Sequence, residues 1–162
     1  MQKIIFAVVF FISTISLHAQ NKWSVSNNYS KSDGGQLLIN LPVQAALNCI
    51  VNPVGKPKTF ALRNDSPKEL EPGSYDVIFW GIKIPSVAVE KRKDTRIFAG
   101  VLNSTVKGLW EVWTTDSIKI YSAGGPKQVA LPVGNYIIKT SGAAIKTTIT
   151  DGKVSIFSFT KY

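Results

Sequence analysis

Three tryptophans, one dense run of basic residues and one pair of carboxylates are the side chains here with chemical potential. Trp80, Trp110 and Trp113 could stack on a sugar ring if exposed. Trp110-Glu111-Val112-Trp113 reads as a strand, with Trp110 and Val112 on one face and Glu111 and Trp113 on the other. Trp110 is expected in the core, and Trp113, which shares a face with a glutamate, at the surface. Lys91, Arg92, Lys93 and Arg96 form the densest basic cluster, able to grip a phosphate or carboxylate on a hairpin tip. The same charges would keep such a tip solvated and discourage edge pairing. Glu69 and Glu71 stand on alternate positions beside Pro72-Gly73. A glycosidase needs two carboxylates across its substrate, whereas these share one face of a surface turn.

Other chemistry is excluded by residue type. The single histidine, His18, lies in a segment read below as a cleaved signal, so Ser-His-Asp and Cys-His catalysis is not expected. The single cysteine, Cys49, has no partner for an internal disulfide. It precedes Ile50-Val51 in an apolar run and reads as a small buried hydrophobe. Asp151-Gly152 lacks the further Asp/Asn series of a calcium loop. No metal, no cofactor and no enzymatic activity are expected. The formal charge is +9, one unit of it from Lys3. A basic exported protein will meet anionic partners, here an anionic envelope polymer or another envelope protein. Nucleic acid is not expected, because no aromatic residues interleave the basic tip.

The elements that must hold these residues are short strands. Valine, isoleucine, threonine and aromatics dominate, turn residues recur every eight to twelve positions, and no 3.6-residue apolar period is sustained. The chain also repeats. Leu70-Glu71-Pro72-Gly73-Ser74-Tyr75 returns 61 residues later as Leu131-Pro132-Val133-Gly134-Asn135-Tyr136. Each enters a strand through a tyrosine and stops at a glycine, Gly81 or Gly142. The glycine after each proline is expected to take a positive φ. The tyrosine has a body to bury and a hydroxyl to tie the corner backbone. Val112 aligns with Val51, and Ile118 to Tyr121 with the segment around Phe60. Glu90 to Asp94 reads as a charged hairpin tip, and Asp151-Gly152 as the turn of a second hairpin. Ile82 to Ile84 and Val87 to Val89 read as separate strands around Pro85.

The stretch Leu70 to Val77, followed by Gly81, Ile84, Val87 to Val89 and Thr95-Arg96, resembles bacterial exported β-sandwich modules with an L-P-x-G-x-Y motif. These include carboxypeptidase-regulatory-like and PEGA-type domains and repeats that accompany von Willebrand A domains. The resemblance implies a non-catalytic accessory module and supplies no functional residues. The fold class expected is all-β, as two tandem Ig-like or transthyretin-like sandwich units, separate or packed on each other.

Residues 1–19 read as a secretory signal: Lys3, an apolar run from Ile4 to Ile12, and Ala19 before the cut. Residues 20–35 read as a polar leader or edge strand, 36–98 as the first repeat and 99–162 as the second. A periplasmic or secreted protein follows, with no later transmembrane segment and no lipid anchor. The function expected is a binding or scaffold module at the cell envelope. The alternatives are polysaccharide binding through exposed Trp80 and Trp113 close together, or a hydrolase or lyase whose carboxylates converge in a pocket.

Overall fold

The computed structural model describes residues 22–27 and 33–159. The expected signal, the start of the leader and Tyr29 lie outside them. Every element among the described residues is a strand. In the first half these are β1 Trp23–Asn27, β2 Gly35–Ile39, β3 Cys49–Pro53, β4 Phe60–Ala61, β5 Lys68–Leu70, β6 Gly73–Phe79, β7 Ile82–Val89 and β8 Lys93–Ile97. The second half holds β9 Ala99–Ser104, β10 Leu109–Thr114, β11 Lys119–Gly124, β12 Lys127–Pro132, β13 Gly134–Thr140, β14 Ala143–Ile149 and β15 Val154–Phe157.

They form four small sheets, in the orders β1-β8-β2-β5, β4-β3-β6-β7, β12-β9-β15 and β11-β10-β13-β14. Seven strands recur in sequence order. β8-β2-β5 is matched by β15-β9-β12, and β4-β3-β6-β7 by β11-β10-β13-β14. The register repeats as well: Gly35 lies opposite Leu70 and Gly100 opposite Leu131, while Val51 pairs with Phe60 and Val112 with Tyr121. The alignment of Val112 with Val51 therefore holds in space. The added β1 sits antiparallel on β8, so the leader does contribute an edge strand.

The expectation of two Ig-like or transthyretin-like sandwich units is overturned. The strands divide instead into four small sheets. The first two sheets share one core around Leu37, Ile39, Val51, Val77, Phe79 and Ile97. The third and fourth share another around Leu102, Trp110, Val112, Leu131 and Ile138. The third sheet is buried on both faces, because Ala99, Val101 and Ala130 join the first core while Leu102, Val129 and Leu131 join the second. Trp80 and Ile82 of the second sheet's hairpin pack in turn on the second core. Each half thus completes the other's interior, which a pair of self-contained units would not do.

Period-two alternation explains the strands. On β6, Tyr75, Val77 and Phe79 point into the core; on β13, Tyr136 and Ile138 do. Both tyrosines tie their corners as expected, Tyr75 Oη donating to the Glu71 carbonyl at 2.7 Å and Tyr136 Oη to that of Pro132 at 2.8 Å. The glycine expectation holds only at Gly134, whose φ is 154°; Gly73 is not in the positive-φ region, and an added Cβ there would make ordinary contact with Tyr75. β7 is one strand rather than two, since a bulge absorbs Pro85 and Ser86 takes φ 55°. Its amide is satisfied by the Asp76 carboxylate at 3.2 Å.

The two hairpin expectations are corrected. β8 and β15 do not pair with the strands that precede them; each crosses to the other sheet and runs parallel to β2 or β9. The intervening turns are closed alike, with Lys93 N–H donating to the Glu90 carbonyl and Lys153 N–H to that of Thr150, both at 3.2 Å. Arg92 and Gly152 hold the same place with φ 57° and 62°. Their amides donate to the carbonyls of Gly34 and Ala99 at 2.8 and 2.9 Å. These are sheet-changing turns clipped to the start of β2 and β9.

Cys49 is buried on β3, as the sequence implied, and burial pushes its thiol up to about 12. The unfolded thiol ionises nearer its ordinary value, while the folded one keeps its proton. Stability from this group is therefore present below pH about 9 and falls as pH rises towards 12. Native protein at pH 8 should resist alkylation by iodoacetamide and react on unfolding. Stoichiometric labelling of the native state would show the thiol to be accessible.

Candidate functional site

The residues singled out from the sequence do not converge. Lys91 and Arg92 reach Asp33 at 2.9 and 3.6 Å, and Lys93 pairs with Glu90. The Asp33 carboxyl is held below its usual range, chiefly by the hydrogen bond from Lys91. The tip is thus largely self-neutralised. Arg96 is not on it at all. It lies on the outer face of β8, and its guanidinium binds Asp151 of the second half at 2.7 Å and stands over the Phe98 ring. Asp151 also accepts from the Ala99 amide at 3.2 Å, so this pair fastens the two halves together.

Trp80 is likewise a fastening. It adopts φ 47°, unusual for a bulky side chain. The strain is offset across the halves: its Nε1 donates to the Ala130 carbonyl at 3.0 Å, and its ring meets Tyr121 edge-on at 4.9 Å. Trp110 is fully buried, with Nε1 donating to the Gly125 carbonyl at 2.8 Å. Trp113 stands on the opposite, outer face of the fourth sheet, so Trp80 and Trp113 do not form one platform. Glu69 and Glu71 are exposed, and Glu71 meets Lys56 at 3.7 Å. Two open recesses adjoin them, one lined by Lys56, Lys58 and Phe60 and the other by Asp33, whose carboxylate is already paired with Lys91 and Arg92. Among the described residues, no cluster of three His, Cys, Asp or Glu side chains could hold a metal ion.

One surface does gather chemistry, the outer face of the fourth sheet. A bulge between Val112 and Trp113 brings Trp113 opposite Lys119 of β11, and Trp113 also faces Ile137 of β13, which faces Lys146 of β14. Glu111 lies opposite Lys139. The Glu111 carboxylate accepts from Trp113 Nε1 at 2.9 Å and from Lys119 Nζ at 3.1 Å. The bonds from Lys119 and then Trp113 hold its carboxyl below the ordinary range. Lys139 Nζ stands 3.7 Å from the centroid of the Trp113 ring, a close cation–π contact. One indole is therefore fixed at its edge by a carboxylate and covered by an ammonium, on a sheet face with two further lysines and one acid. Lys119, Lys139 and Lys146 escaped the sequence reading because they come from three strands. Only the register brings them beside Trp113, although the shared parity of Glu111 and Trp113 was a usable signal.

No family model matches the chain. No curated protein matches it either. Among solved structures it is similar to the Bacillus anthracis TIE protein, at 16% identity and a TM-score of 0.35, over 78% of this chain. The chain spans about a third of that protein's length, the shared part being 34% of it. A likeness this distant carries no functional inference, and the side chains on the fourth sheet have to speak for themselves.

Proposed function

We propose that the protein is a non-catalytic, exported binding module of the cell envelope, and that it holds an anionic polymer against the outer face of the fourth sheet. The observation that carries this reading is Trp113, fixed by Glu111 and covered by Lys139, with Lys119 and Lys146 on the same face. An ammonium already held in place gives an anionic group a charge-assisted partner with little ordering left to do. A flat sheet face suits an extended polymer better than a small substrate. Neutral sugar stacking is less favoured, since Lys139 would first have to leave the ring. A periplasmic or secreted location fits the signal-like start of the sequence.

The test is retention of the protein, without residues 1–19, on an immobilised uronic acid polymer at low and high salt. Salt-sensitive binding is expected. Lys139→Glu should weaken it about tenfold, the equivalent of about 1.4 kcal/mol. Replacing Lys91, Arg92 and Lys93 by alanine should change it little, because those charges already have partners. If the tip variant abolishes binding and Lys139→Glu does not, the site is misplaced; no retention at all would remove the polymer reading.

A further inference from the structure

The duplication leaves one strand position filled in the first half and open in the second. In the first sheet β8 has β2 on one side and β1 on the other. Its counterpart β15 has β9 on one side and, among the described residues, no strand on the other. The two sites are otherwise built alike. Thr95 and Ser155 occupy the same place, and their hydroxyls donate to the equivalent carbonyls of Ala88 and Thr148, at 2.6 and 3.2 Å. The difference lies outside. Asp94 and Arg96 on β8 are replaced on β15 by Val154 and Ile156, which are 38% and 73% exposed.

Other edges are guarded in the usual ways. β7 carries Lys83, Pro85 and a bulge, β14 carries Lys146, β11 begins with Lys119, and β4 has only two residues. The edge of β12 is taken by Ala46, whose amide donates to Gln128 and whose carbonyl accepts from Ala130. β1 turns serines outward. β15 has none of these devices. The Lys153 and Phe157 carbonyls accept from β9 and from Thr105, so by strand alternation the backbone groups of Val154 and Ile156 face the open side.

We propose that this edge pairs antiparallel with β15 of a second copy of the chain. The pairing would build a six-stranded sheet about a two-fold axis near Ser155. Val154 of one copy then lies opposite Ile156 of the other, and each covers exposed apolar surface of its partner. Such an edge is self-complementary, which is what a two-fold interface requires. No charged residue lies between Val154 and Phe159, so the pairing sets no like charges directly opposite each other. The β1 strand of a neighbour is the poorer occupant. It is already seated on β8, and moving it opens one edge for each it closes.

Sedimentation velocity on the protein without residues 1–19, over a range of concentrations at moderate salt, tests this. The wild type should shift from monomer to dimer as concentration rises. Ile156→Lys should stay monomeric with an unchanged circular dichroism spectrum. Ile118→Lys, which alters a side chain 61% exposed elsewhere, should dimerise like the wild type. A wild type that stays monomeric throughout, or an Ile156→Lys variant that still dimerises, overturns the proposal. Ile156→Lys should keep its salt-sensitive retention on the uronic polymer, so failure of either proposal is read independently of the other.

Discussion

Gly100→Ala is expected to destabilise the fold by about 1–3 kcal/mol, the range for overpacking a tight interior. A Cβ at this position would lie 2.4 Å from the Thr150 carbonyl oxygen, 2.9 Å from that of Lys153 and 3.0 Å from Ile149 Cγ2. Two of the three are backbone, so no rotamer change relieves them. The turn that carries them is also clipped in place, with Gly152 N–H on the Ala99 carbonyl and Val101 N–H on the Lys153 carbonyl. Moving the turn outward breaks those bonds. The same close approach recurs at Gly35, where a Cβ would stand 2.3 Å from the Glu90 carbonyl oxygen. Gly108 is the control: nothing lies within 4 Å of its added Cβ. Gly108→Ala should fall within about 0.5 kcal/mol of the wild type. Thermal unfolding of the two variants checks the pair, and a Gly100→Ala protein with an unchanged midpoint would mean that the turn relaxes freely.

Trp110→Ala should destabilise more, by about 3–5 kcal/mol, as expected for emptying the volume of a large buried aromatic. Trp110 is the largest fully buried side chain in the molecule among the described residues. It lies against Tyr121, with ring centroids 5.5 Å apart, and closes the second core together with Val112 and Ile138. Its removal also strands the Gly125 carbonyl. Trp110→Phe, which keeps most of the volume and loses that hydrogen bond, should fall between the two states. Three residues on, Trp113→Ala should cost less than about 1 kcal/mol and act on binding instead. Urea titrations with a common slope would display the contrast, and equal losses at both positions would mean that the outer face is structural too.

Much of this was legible in the chain itself. The paired corners of Leu70 to Tyr75 and Leu131 to Tyr136 announced the duplication, and each tyrosine makes the bond its position implied. Parity alone separated Trp110 from Trp113. What failed was long-range. Asp151-Gly152 has the local chemistry of a hairpin, yet its flanking strands go to different sheets, because β15 is held by β9 and the turn is tied to Ala99. Nothing local distinguishes a turn that folds a strand back from one that sends it across. The basic run at 91–93 looked like a site because its neutralising partner, Asp33, is distant in sequence. Trp80 looked like a platform because nothing in its neighbourhood shows that Ala130 and Tyr121 wait fifty and forty-one residues away. The close approaches at Gly35 and Gly100 were missed for the same reason, the carbonyls that forbid a side chain there being supplied by a distant turn.

The doubly buried third sheet has a consequence for how alike the two halves can remain. Its outer face carries Val101 opposite Ala130; the matching positions of the first sheet hold Gln36 opposite Glu69. One pair is sealed inside the molecule, whereas Gln36 is half-buried and Glu69 is exposed. A second copy of the first half set in the place of the second would put a glutamine and a glutamate into the seam where valine and alanine now stand. The copies share a plan of strands but no longer a set of surfaces. Which half supplies the buried sheet is written into four side chains, and neither half can stand in for the other without rewriting them.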